Sequence, residues 1–199
     1  MPRNPPPLGP FTVIPEYSDP KALPDNTPLP RFENGYFHAA VFGGPGSGKT
    51  AILKLFLRRI RETNKDDPVW CAAFHKDPFA DERADRYFSL RSQNETKGFL
   101  DALEEELRQR QKCFDKVNVQ TYPDYLKMET TGIIWYRRLP YLYILADDLE
   151  RALSSDPTGD TLWRMRLLLC SAPHLGVSLI YTKRTERGAV SVRYNTLPD

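Results

Sequence analysis

The run Gly43-Gly44-Pro45-Gly46-Ser47-Gly48-Lys49-Thr50 constrains this chain more than any other stretch. It satisfies G-x-x-x-x-G-K-[ST], a pattern that does its chemistry as a turn between a buried strand and a helix. Glycines let backbone N–H groups converge on phosphate oxygens without Cβ interference, and the N-terminus of the following helix adds its positive end. The flanks agree. Residues 36–42 form a short apolar run suited to a buried parallel strand. Residues 50–60 then place Ile52, Phe56 and Ile60 on one helical stripe, with Leu53 and Leu57 beside it and Lys54, Arg58 and Arg61 opposite. All eight loop residues are therefore candidate nucleotide ligands. Lys49 is assigned to the β and γ phosphates and the Thr50 hydroxyl to Mg²⁺, making ATP and Mg²⁺ the expected cofactors.

A second constellation lies roughly 100 residues on, where Tyr143-Ile144-Leu145-Ala146 runs into Asp147 and Asp148. Acids at the carboxyl end of a buried strand stand where open α/β sheets bind ligands. Asp147 is expected to hold the hydration shell of Mg²⁺ opposite Thr50, and Asp148 to orient or deprotonate the attacking water. The competing local reading makes Asp147 the cap of a helix starting at Leu149 and leaves Asp148 solvated. Glu150 is a weaker candidate for the role of Asp148.

Other segments supply the frame. Strands are expected over 69–75, 141–146 and 176–182, with another over 189–194 at a sheet edge, and helices over 99–114 and 162–170. Alternating strands and helices imply an α/β fold with a mainly parallel sheet covered on both faces. Residues 116–139 are ambiguous between a loop and an inserted hairpin. Most of the 18 prolines fall between Pro2 and Pro30. Proline removes a backbone donor, so this stretch cannot build a sheet interior. The chain therefore divides into a proline-rich extended arm, 1–32, and an ATPase domain, 33–199. The arm either lies on a neighbouring subunit or is a tail.

Composition enters mainly by exclusion. A net charge of +2 neither supports nor excludes nucleic acid. No apolar run approaches the roughly 20 residues that cross a bilayer, and no apolar leader opens the chain, so a cytosolic protein is expected. Cys71, Cys113 and Cys170 read as reduced core residues. Cys71 and His75 lack the second ligand pair that zinc needs.

Four features together resemble the FtsK–HerA superfamily, whose core is a RecA-like fold with an additional strand between the phosphate-loop strand and the acid strand. They are the loop, the spacing to the paired aspartates, the basic helix Leu107-Arg108-Gln109-Arg110-Gln111-Lys112, and the segment Pro173-His174-Leu175-Gly176-Val177-Ser178-Leu179-Ile180-Tyr181-Thr182-Lys183. The branch most resembled is that of genome-packaging ATPases of poxvirus-type viruses and of tailless, membrane-containing icosahedral viruses. There the last segment opens with arginine-histidine and ends in a glutamine that faces the γ-phosphate. His174 matches. Pro173 stands in place of the arginine, and Lys183 stands in place of the glutamine, as a charge that reaches the same phosphate.

The resemblance implies a homo-oligomeric ring, pentamer or hexamer, that drives double-stranded DNA into a preformed capsid. Its partners would be packaging-vertex proteins and an internal viral membrane protein, and its place the host cytoplasm or the virion vertex. A neighbouring subunit would supply an arginine, for which Arg184 and Arg187 rank ahead of Arg164 and Arg166. Arg108, Arg110 and Lys112, or Arg137 and Arg138, are candidates for the DNA channel, against a plain reading as surface charge. With little chain beyond Lys183, no separate DNA-reading domain is expected. Rival readings are a helicase loader, a phage assembly ATPase, and a nucleotide-binding interaction protein without turnover.

Overall fold

The computed structural model describes residues 13–17, 27–31, 35, 37–130, 139–186, 190–195 and 197–198, with backbone alone for 13–17 and 129–130. Its strands are β1 (Val13–Tyr17), β2 (Ala39–Gly43), β3 (Val69–Ala73), β4 (Arg86–Ser89), β5 (Leu142–Asp147), β6 (Val177–Arg184) and β7 (Val190–Tyr194). Its helices are α1 (Lys49–Thr63), α2 (Gln93–Lys116), α3 (Tyr122–Thr130), α4 (Leu149–Ser154) and α5 (Asp160–Ser171), with a 3₁₀ turn at Ala172–Leu175. The strands form one sheet in the order β1-β7-β2-β6-β5-β3-β4. Neighbours from β2 to β4 in that order pair in parallel, while β7 runs antiparallel to β2 and to β1. This is the α/β fold with a mainly parallel, helix-flanked sheet that the alternating sequence pattern implies.

The central strands read as they do because both of their faces are covered. Every residue of β2 and β3 is buried, and so are Leu142 to Ala146 of β5 and Val177 to Thr182 of β6. Such strands show continuous apolar runs rather than alternation. On one face lies α1, burying Ile52, Leu53, Phe56, Leu57 and Ile60. On the other, a chain of rings links Trp70 of β3 to Phe88 of β4 (5.4 Å) and Phe88 to Phe99 of α2 (5.2 Å). Helix α2 starts at a capping box in which Ser92 accepts from the Glu95 N–H and the Glu95 carboxylate accepts from the Ser92 N–H.

The register places the chemistry. β6 lies between the phosphate-loop strand β2 and the acid strand β5. Val41 pairs with Thr182 and Ala146 with Tyr181, so the carboxyl ends of all three strands meet at one edge. That interposed strand is the layout of the RecA-like core named above.

Three expectations need correction. The strand at 189–194 is internal, because β1 pairs outside it through Val13 with Arg193 and Ile14 with Val192. Proline hid β1 from the sequence; its register shifts between Ile14 and Tyr17, the stretch that holds Pro15, and an edge strand tolerates the missing donor. Within 116–139, the described part beyond α2 is chiefly the helix α3, with Tyr125 stacked on Phe114 at 4.9 Å, and no hairpin. Finally, Arg110 is no channel residue. It is 2% exposed and donates to the carbonyls of Pro140 (2.9 Å), Leu175 (3.1 Å) and Gly176 (3.3 Å), pinning α2 to the strands beneath. Arg137, Arg138 and Arg187 lie outside the described residues.

Candidate active site

Backbone geometry alone prepares the loop after β2 for an anion. Gly48, the residue before α1, has φ of 93°, which favours glycine, and no side chain caps the helix. The first turn of α1 carries no acid of its own to offset the positive end of the helix. A Cβ on Gly43 would sit 2.4 Å from Ser47 Oγ, so a side chain there would displace the serine hydroxyl. Ser47 Oγ is itself buried without a hydrogen-bond partner among the described residues. A buried unpaired hydroxyl in a nest of amides is a position a phosphate oxygen would satisfy.

Lys49 reaches back over this loop, its Nζ donating to the carbonyls of Gly43 (2.9 Å) and Gly44 (2.8 Å). Burial lowers its affinity for the proton, Asp147 and Asp148 oppose that shift, and Arg184 adds to it. A polyanion at the loop would favour the charged ammonium for the same Coulombic reason that the two aspartates do.

Thr50, the second residue of α1, donates from Oγ1 to Asp147 Oδ2 at 2.9 Å. Thr182 of β6 donates to the other oxygen, Asp147 Oδ1, at 2.8 Å. The same Thr182 hydroxyl accepts the Asp148 N–H at 2.8 Å. One threonine thus fixes the last residue of β5 and the first beyond it. A threonine hydroxyl and a carboxylate form the hard oxygen set that Mg²⁺ takes while keeping several waters, so Thr50 and Asp147 fit that ion. Among the described residues no group of three or more His, Cys, Asp or Glu forms another metal site. The Cys71 thiol, pushed up to about 12 chiefly by burial, behaves as core.

Asp148 occupies the left-handed region (φ 55°, ψ 37°), a conformation aspartate tolerates better than most residues. It does precede a helix, α4, but its side chain makes no capping bond. Its Oδ2 lies instead 3.0 Å from His75 Nε2, just beyond β3. The helix-cap alternative for Asp147 therefore fails, since both carboxylate oxygens of Asp147 are engaged by threonines.

Lys183 follows Thr182 and so points to the opposite face of the strand. Its Nζ lies 3.0 Å from Glu150 Oε1 and 5.8 Å from the Phe42 ring centre. Burial raises the proton affinity of Glu150, offset by Lys183. Arg184 borders a cleft of about 450 Å³ with Pro45, Thr185 and Glu186, and the Thr185 N–H donates to Gly43 O at 3.1 Å. Arg164 is tied to Asp101 (2.7 Å) and Glu104, and Arg166 to the Pro198 carbonyl (2.7 Å). His174 lies in the 3₁₀ turn before β6, at the amino end of that strand, whereas the acids stand at the carboxyl end of its neighbour β5. Thr182 and His75 were the residues that sequence reasoning did not assign to the site.

No family model matches the chain, and no curated protein matches it. Solved structures do share its fold. The cytoplasmic domain of the Thermomonospora curvata type VII secretion ATPase EccC superposes with a TM-score of 0.66 at 22% identity, covering 78% of this chain and 19% of that one. EssC (ATPases 2 and 3) from Geobacillus thermodenitrificans gives 0.59 at 20% identity, covering 75% and 28%. The pCW3 conjugation coupling protein TcpA, solved with ATPγS, gives 0.57 at 16% identity, covering 74% and 42%. At 22% identity or less, what this chain shares with these ATPases is the fold: a mainly parallel sheet flanked by helices. The chain spans less than half the length of each of these neighbours.

Proposed function

We propose that this protein is a Mg²⁺-dependent ATPase of the FtsK–HerA type that moves double-stranded DNA, and that the DNA is a viral genome entering a capsid. The observation that carries the ATPase reading is the doubly held Asp147, bonded to Thr50 of the phosphate loop on one side and Thr182 of the intervening strand on the other. Lys49 binds the β and γ phosphates, the loop amides and Ser47 hold their oxygens, and Thr50 with Asp147 holds Mg²⁺. When bound there, Mg²⁺ would supply positive charge to offset the charge that develops on transfer. Asp148 orients the attacking water and takes its proton.

Translocation is supported by likeness of fold to a conjugation coupling protein and to secretion ATPases, and genome packaging by the resemblance of the motifs. A homo-oligomeric ring at the packaging vertex, in the host cytoplasm or on the virion, follows from the same reading, with vertex proteins and an internal membrane protein as partners. Arg184, at the cleft beside Pro45, is the described arginine best placed to serve a phosphate site. A second reading, nucleotide binding without turnover, is favoured by one observation: Lys183 is ion-paired with Glu150 where the resembled family has glutamine. Phosphate release with and without double-stranded DNA separates them. A motor is stimulated by DNA; a binding protein releases no phosphate in either case.

A further inference from the structure

His75 belongs to none of the motifs above, yet it makes the one side-chain ion pair the described structure gives to Asp148. Its position follows from the strand pairing. β3 runs beside β5 with Ala73 opposite Asp147, and the Phe74 N–H continues the ladder to the Asp147 carbonyl at 3.2 Å. His75 therefore leaves the sheet level with the acids. Its ring is set edge-on to Phe74 (5.2 Å, 87°), and the Arg151 guanidinium of α4 sits 4.8 Å from the Phe74 ring centre.

The main chain of Asp148 has little freedom. Its N–H is held by Thr182, and its left-handed backbone leads directly into α4. Rotation of the carboxylate is the freedom that remains, and the His75 ring nitrogen takes hold of Oδ2 at 3.0 Å. Asp148 also lies near enough to the Lys49 ammonium to act on it electrostatically. We infer that His75 is a positioning residue for Asp148, holding by its Nε2–H the carboxylate that receives the proton of the attacking water.

The inference rests on the ATPase reading and adds a device to it. Arg151 Nη1 lies 3.4 Å from the same Nε2. Arginine only donates, so that nitrogen serves Asp148 when it carries a hydrogen and Arg151 when it does not. The two partners exclude each other, and the shorter contact belongs to Asp148.

Steady-state phosphate release by the full chain, at limiting and saturating Mg-ATP with DNA present, tests this. His75→Ala should lower kcat roughly 10- to 100-fold, the cost of a misplaced catalytic group, with KM for ATP little changed. His75→Gln, which keeps an N–H donor, should recover most of the loss. Adding His75→Ala to Asp148→Asn should cost nothing further, because the two residues act as a unit. Wild-type kcat in His75→Ala, equal losses in the alanine and glutamine variants, or additive losses in the double variant would overturn the inference while leaving the ATPase reading standing. Undiminished turnover by Lys49→Ala would bring down that reading, and the inference with it.

Discussion

At the scale of single residues, Asp147 and Asp148 stand side by side but their carboxylates have different partners, and substitutions there should separate binding from chemistry. Asp148→Asn keeps the shape of the side chain and leaves Thr50 and Asp147 in place. It should retain Mg-ATP affinity and lose roughly 10²- to 10⁴-fold in single-turnover hydrolysis, the range for removing a general base. Unchanged turnover would place the water elsewhere. Thr182→Val removes the hydroxyl that donates to Asp147 and accepts from Asp148. Leaving those groups unpaired should cost about 1–3 kcal/mol in urea unfolding. Lys49, Thr50 and the two aspartates were legible in the sequence because each sits within a contiguous motif. Thr182 was not: its role depends on the register of β6 against β5, and a strand read one residue out presents the opposite face. Lys183 drew the assignment instead, because it stands where the resembled family has glutamine. His75 was hidden for the same reason, since nothing local in the sequence says which strand will lie beside β5.

Elements are held to one another by buried polar groups that composition cannot reveal. Arg110 sits in a run that reads as basic surface, yet it ties α2 to the carbonyls of Pro140, Leu175 and Gly176. Arg110→Met should destabilise by about 3 kcal/mol, because three carbonyls lose their donor in a buried place. A stability change within ~0.5 kcal/mol in urea, the range of a surface substitution, would show that the helix is held otherwise. His38 bridges β2, β6 and α5: its Nδ1 accepts the Leu179 N–H at 3.0 Å and its Nε2 donates to the Leu169 carbonyl at 3.0 Å. Burial lowers its pKa to about 4, from an ordinary value of 6.5. An unfolded chain binds the proton first as pH falls, so the stability is whole above pH 6.5 and is lost progressively between 6.5 and 4. The loss should reach about 3 kcal/mol, and a His38→Gln variant should lack this pH dependence. Long apolar strands and amphipathic helices were readable from periodicity. β4 was not, being four half-exposed residues after a charged loop, and neither was β1, where Pro15 argues against a strand anywhere but an edge.

For the whole molecule, the sheet order brings β2, β6 and β5 together at their carboxyl ends, and the fold class was legible because β2 and the runs Leu142–Ala146 and Val177–Thr182 are buried and largely apolar. Assembly was not legible to the same degree, since it depends on surfaces rather than on core periodicity. If a neighbouring copy supplies the cation for transfer, phosphate release per chain should rise with protein concentration and level off once rings form. A rate strictly proportional to concentration, alongside a loss in Arg184→Ala, would assign the cation to the chain's own Arg184. The central claim is that the glycine-rich loop, Thr50 and Asp147 build one site for a magnesium-bound triphosphate. Titration calorimetry with ATPγS tests it most directly: one molecule should bind per chain, more tightly with Mg²⁺ than without, and Lys49→Ala should abolish the heat. No heat with the wild-type protein, or equal affinity in the Lys49 variant, would contradict the account.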